Sequence, residues 1–179
     1  MEAEGRYPLL VVILTLALLH LGGCRYPNDV AGTTERVTAG TLRVGVAHNP
    51  PWVITDHEGT KEPEGMEADW VRDLAEALSA RIEWHHQPQL ELLESVAKGN
   101  LDIGIAGLVK TAQISKLAAL TRPYTQTSHH RSDGNIVKEP HVLALPHGEN
   151  GWMMTVERLL EARPPRTDVW LAPSEQGAQ

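Results

Sequence analysis

The chain has 179 residues and a formal net charge of -7. With no Lys/Arg-rich run to offset that charge, it lacks the basic face that phosphate backbones demand, so nucleic acid is excluded as an expected partner. Its one cysteine, Cys24, cannot staple a fold, and the roughly 155 residues after residue 23 suffice for one domain but not for two.

Leu9 to Leu19 form an apolar run broken only by Thr15, too short to span a bilayer as a permanent helix. The run has the character of the apolar region of an export signal, although Arg6 stands against Glu2 and Glu4 in the flank before it. Leu21-Gly22-Gly23-Cys24 resembles the lipobox of bacterial lipoproteins. That resemblance implies a signal peptide over residues 1–23, a lipid anchor on Cys24, and a chain held in the cell envelope on the extracytoplasmic (periplasmic) face of a bacterial membrane. Residues 24–40 are polar and rich in Gly, Thr and Asn, which predicts a flexible tether.

From Thr41 the patterning changes. "TLRVGVA" reads as a buried strand, and "HNPPWVITDHEGT" as the loop that leaves it. Met66, Trp70, Leu74, Ala77 and Leu78 recur at helical spacing and predict an amphipathic helix with those residues facing inward. "IEWHH" predicts a short strand, and "QLELLESVAKGN" a helix closing at Gly99 and Asn100. "LDIGIAGL" predicts a second buried strand, "HVLALPHGEN" a further strand and turn, and "GWMMTVERLLEA" a last helix. Alternating strands and helices give an α/β fold, a mostly parallel sheet flanked by helices, with ligands expected where the strands end. Thr41 to Ala47, Leu101 to Ala106 and His141 to Leu145 are the expected neighbouring core strands, and residues 164–179 an expected loose tail.

Five stretches in this order, "GTLRVGVAHNPPWVI", "EGMEADWVRDLAEAL", "VAKGNLDIGIAGLVKTAQ", "LTRPYTQT" and "HVLALPHGENGWMMTVERLLEA", resemble the first lobe of the type 3 extracellular solute-binding proteins. The resemblance implies a periplasmic-binding-protein-like lobe over residues 41–163, in a substrate-binding lipoprotein with an ABC permease and the bilayer as partners and without a cofactor. By the same resemblance Pro50, Pro51 and Trp52 form one rim of a ligand site, and Gly107, Leu108 and Thr111 the other. Amino-acid binders of the family continue Thr-x-x-Arg, whose arginine forks onto the ligand carboxylate. Here the sequence is Thr111-Ala112-Gln113-Ile114, and Lys110 is read as a solvated loop residue. Residues 127–140 stand where the family inserts a whole second lobe, so a shortened crossover and an open half-site are expected. An amino-acid-like solute is therefore expected to bind weakly.

The nine histidines, with His129-His130, His141 and His147 close along the chain, have no diagnostic metal spacing and are read as surface-loop residues. Glu67 and Asp69, two apart on a helix, point to different faces and are read as first-turn charges complementing the helix dipole. The expected function is non-enzymatic solute capture. Alternatives are a dehydratase-like periplasmic enzyme on the same fold and a degenerate lobe without ligand.

Overall fold

A computed structural model of the chain describes residues 27–56, 59–130 and 134–166. The signal-peptide reading, Cys24 and the tail beyond residue 166 lie outside these residues. Helix α1 (Thr33–Val37) leads into strand β1 (Thr41–Val46), helix α2 (Met66–Ala77), β2 (Arg81–His86), α3 (Gln89–Ala97) and β3 (Ile103–Val109). A single turn α4 (Ile114–Leu117), β4 (Ala119–Leu120), β5 (Thr125–His130), β6 (Ile136–Leu145) and α5 (Asn150–Ala162) complete the chain.

The sheet runs β2-β1-β3-β6-β4, with β5 pairing the outer half of β6. β1 lies parallel to both β2 and β3, whereas β6 returns antiparallel between β3 and β4, so the expected mostly parallel sheet is mixed. Alternation along the strands sorts the core into two layers. Leu42, Val44, Val46, Ile103, Ile105, Leu143 and Leu145 pack with Trp70, Leu74 and Trp152 of α2 and α5. Leu108, Val142 and Ala144 pack on the other face with Leu92, Leu93 and Val96 of α3. Gly45 and Gly104 admit that helix: a Cβ at Gly45 would lie 3.0 Å from Leu92 Cγ, and one at Gly104 2.5 Å from Leu92 Cδ2.

Four expectations change. Of the tether expected over residues 24–40, residues 27–40 are part of the lobe. Their polar residues satisfy backbone groups, Asp29 accepting from the Trp152 N–H at 2.8 Å, and Glu149 from the Ala31 and Thr33 N–H groups at 2.7 and 3.0 Å. The crossover expected over 127–140 is a hairpin, because β5 pairs residue by residue with β6 from Thr125↔His141 to His130↔Ile136. Ala77, expected to face inward, is exposed at the end of α2, whose buried stripe runs through Met66, Glu67, Trp70, Val71, Leu74 and Ala75. The expected loose tail also begins later, since Pro165 is buried and the Trp70 indole N–H donates to the Arg163 carbonyl at 2.9 Å. Among the described residues no helix is long and apolar enough to cross a membrane.

Candidate functional site

The loop leaving β1 is closed by reciprocal backbone hydrogen bonds between Asn49 and Val53, of 2.8 and 3.0 Å, around a cis Pro50-Pro51 peptide. Its carbonyls serve the start of α2: Pro51 accepts from the Met66 N–H at 3.2 Å and Trp52 from the Glu67 N–H at 3.0 Å. That arrangement turns Trp52 inward, where 6% of it stays exposed. Its ring stacks on His141 with centroids 3.8 Å apart and meets Tyr124 edge-on at 6.2 Å. Gly107, with φ of +60°, closes the contact, because a Cβ there would collide with the indole.

Beneath Trp52 lies a buried polar chain. Glu67 is 0% exposed and accepts hydrogen bonds from the Gly107 N–H at 2.9 Å and from the Tyr124 hydroxyl. Burial pushes its carboxyl up to about 7, against the pull of those donors. Burial, with the Glu67 charge beside it, pushes the Tyr124 phenol well above its ordinary value. His141 is 3.2 Å from the Gly107 carbonyl through Nδ1 and 2.8 Å from the Thr127 hydroxyl through Nε2. A carbonyl only accepts, so the proton sits on Nδ1 and Nε2 accepts from Thr127. Burial holds this imidazole below its usual pKa, in keeping with the neutral form.

A cleft of about 590 Å³ opens at the carboxyl ends of β1 and β2. His48, Thr55, Asp56, His86, Gln87 and Gln89 line it, and among the described residues no lysine or arginine does. His48 Nδ1 accepts from the Thr55 N–H at 3.1 Å, which leaves the proton on Nε2. Asp56 takes the Thr60 hydroxyl at 2.7 Å and the Thr60 N–H at 3.0 Å, and these bonds keep its carboxyl ionised and below the usual range. The Gln87 Oε1 is buried without a hydrogen-bond partner. The lining is thus rich in acceptors and poor in positive charge.

Of the residues expected to bind ligand, the fold brings Trp52 and Gly107 into contact and leaves Pro51 half-buried next to them. Leu108 points to the opposite face of the sheet, into the layer under α3. Thr111 is exposed, and its hydroxyl accepts the Ile114 N–H at 3.2 Å to cap α4. Glu67 lies in the first turn of α2 as expected, but buried in the core. His141, expected in a surface loop, is 3% exposed and belongs to the buried chain. Sequence reasoning passed over His48, Asp56, His86, Gln87 and Gln89. The available signal was position, since these polar residues directly follow two parallel strands at the ends where such folds take ligands. Among the described residues no group of three or more His, Cys, Asp or Glu is arranged to hold a metal.

The sequence profile of the bacterial extracellular solute-binding proteins, family 3, matches residues 42–162. Two curated relatives, the membrane-bound lytic murein transglycosylases F of Vibrio parahaemolyticus and Vibrio campbellii, are each 29% identical, over 107 and 103 residues. Those matches cover 59% and 56% of this chain but 20% and 19% of the relatives, so the chain spans about a fifth of their length. The arginine-bound form of domain 1 from TmArgBP superposes with a TM-score of 0.58 and 22% identity, over 72% of this chain and 97% of that one. The ancestral amino-acid-binding protein AncCDT-1, a precursor of cyclohexadienyl dehydratase, does so with a TM-score of 0.60 and 16% identity, over 73% and 92%. At these identities the two structures speak to the fold.

Proposed function

The chain belongs to family 3 of the bacterial extracellular solute-binding proteins, and from that premise we propose that it is a single-lobe, lipid-anchored solute-binding protein serving an ABC-type uptake system. The observation that carries the reading is the acceptor-rich cleft at the carboxyl ends of β1 and β2, lined by no lysine or arginine among the described residues. Its lining suits a small polar solute that brings hydrogen-bond donors or positive charge. Ile114 stands where the family's amino-acid binders have arginine, so an ordinary α-carboxylate would lose its water without meeting a cation. The Trp52–Gly107 contact, with Pro51 next to it, is the neighbouring wall in this reading, while Leu108 on the opposite sheet face and Thr111 at the start of α4 take no part.

One lobe offers one wall. If the missing wall carried half the contacts, a complex of ~1 μM, worth about 8 kcal/mol, falls towards the millimolar range near 4 kcal/mol. The arginine-bound domain 1 of TmArgBP is itself a single domain, which supports a half-site retaining a ligand. Anchoring through Cys24 follows from the lipobox-like Leu21-Gly22-Gly23-Cys24.

Calorimetry on the soluble form starting at Arg25, with a panel of amines, amides and amino acids, tests the reading. We expect weak one-to-one binding of a cationic or donor-rich solute that Gln87→Ala and His86→Ala abolish. A low-micromolar complex with an anionic solute, unaffected by both changes, refutes it. The kinship of AncCDT-1 with a dehydratase gives the enzymatic alternative its support. It places His48 and His86 as acid–base groups in the same cleft, and it requires turnover of a polar ring compound that His86→Ala removes.

A further inference from the structure

Among the described residues β2, β4 and β5 each pair on one side only, and these edges are not protected alike. β2 carries the exposed charges Arg81 and Glu83, and β4 is two residues long. Charge and shortness are ordinary ways of keeping a strand edge from pairing with another chain. β5 has neither. It is six residues long, "TQTSHH", without Asp, Glu, Lys, Arg or Pro, and its register with β6 runs from Thr125↔His141 to His130↔Ile136 without a bulge. The opposite margin of the same hairpin, on β6, carries Lys138, Glu139 and Pro140.

Pro140 fixes which backbone groups of β5 are free. Its carbonyl accepts from the Lys110 N–H at 2.9 Å, on the β3 side of β6. The Gln126↔Pro140 pair is therefore not a hydrogen-bonded one, whereas Thr125↔His141 and Thr127↔Glu139 are. It follows by alternation that Gln126, Ser128 and His130 turn their N–H and C=O groups away from β6. Gln126 and Ser128 are exposed. Beyond the contact with β3 the hairpin is a two-stranded ribbon among the described residues, and such a ribbon is marginal in water on its own. The ribbon reaches the buried chain, since Thr127 donates to His141 at 2.8 Å.

We infer that β5 is a dimerisation edge, pairing antiparallel with β5 of a second copy across a two-fold axis at Ser128. Outward-facing residues of one strand meet outward-facing residues of the other. With Ser128 opposite its own copy, Gln126 and His130 therefore pair with each other in both directions. The edge supplies donors and acceptors in the spacing it requires, so one strand satisfies both sides. Charge points the same way: each chain has a formal net charge of -7, and β5 is a margin that sets no carboxylate against its like. Pairing turns each two-stranded ribbon into half of a β6-β5-β5-β6 ribbon continuous with both sheets. A single strand pair is a small contact, so the association is weak.

The chain from Arg25 onward holds every described residue and no cysteine. In sedimentation equilibrium its mass should rise from monomer towards dimer between micromolar and millimolar concentration. Ser128→Pro removes an outward N–H and spares the bonds to β6, so it should keep the wild-type circular dichroism and stay monomeric. Ser128→Lys, which sets two charges at the axis, should do the same. Ser128→Cys places two thiols on residues about 5.5 Å apart, within the span of a disulfide, and should cross-link under mild oxidation. Glu76→Cys, exposed on α2, should not. A wild type that stays monomeric to millimolar concentration overturns the inference. A dimer that survives both Ser128→Pro and Ser128→Lys overturns it too, as does Ser128→Cys cross-linking no faster than Glu76→Cys.

Discussion

Glu67 supplies the sharpest test of how the buried chain is held. An ordinary glutamate titrates near 4.5, and in the folded lobe this one is pushed up to about 7. A raised carboxyl pKa means that the folded state binds the proton more tightly than the unfolded state. The associated stability is complete below about pH 4.5 and is lost as pH rises through about 7. At about 1.4 kcal/mol per tenfold, the gap corresponds to roughly 3 kcal/mol, a large share of a typical ~5–15 kcal/mol. Because Glu67 is 0% exposed, little solvent screening reduces that figure. His141 acts in the opposite sense: its lowered pKa adds stability that is present above about pH 6.5 and lost below it, so it opposes Glu67 on the acid side. Glu67→Gln mimics the protonated acid, its oxygen accepting from Gly107 and its amide donating to the Tyr124 oxygen. Urea unfolding of the soluble form from pH 5 to pH 8.5 should show wild type losing stability towards high pH, and Glu67→Gln without that decline, keeping only the rise that His141 gives on the acid side. A wild type that gains stability towards pH 8.5, or a variant that keeps the full slope, refutes the account.

Gly107→Ala should destabilise the lobe by at least about 2 kcal/mol in urea melts, since it combines a left-handed backbone with a collision against Trp52. Asp102→Ala leaves Arg36 and Arg43 without their shared carboxylate. Both arginines are partly exposed and recover water, so a loss of about 2 kcal/mol in the same melts is expected, below the range for fully buried pairs. Ile103→Asp places an unpaired charge at a site with 0% exposure and should abolish cooperative unfolding by circular dichroism. Detergent-phase partitioning should move wild type into detergent and leave Cys24→Ala in water; identical behaviour of the two ends the anchor reading.

What was legible in the sequence was whatever periodicity encodes. β1, β3, α2 and α3 follow from apolar spacing and from the Gly99–Asn100 stop, because burial of an apolar face is decided locally. The hairpin of β5 and β6 was not, since "TQTSHH" has no apolar alternation and its pairing comes from the partner strand. The fastening of residues 27–40 to the lobe was missed for a related reason. Asp29, Thr33, Thr34 and Glu149 have the composition of a solvated linker, and only the fold brings Glu149 to the Ala31 and Thr33 N–H groups across more than a hundred residues. Glu67 shows the same limit most clearly. An acid in the first turn of a helix suits the dipole on a surface or in a core equally well, so helical position could not choose between them. What decides is the Gly107 N–H of β3 and the Tyr124 hydroxyl just before β5, two donors distant in sequence that make a buried carboxylate tolerable. Burial still costs stability once the proton leaves, and the two donors limit that cost.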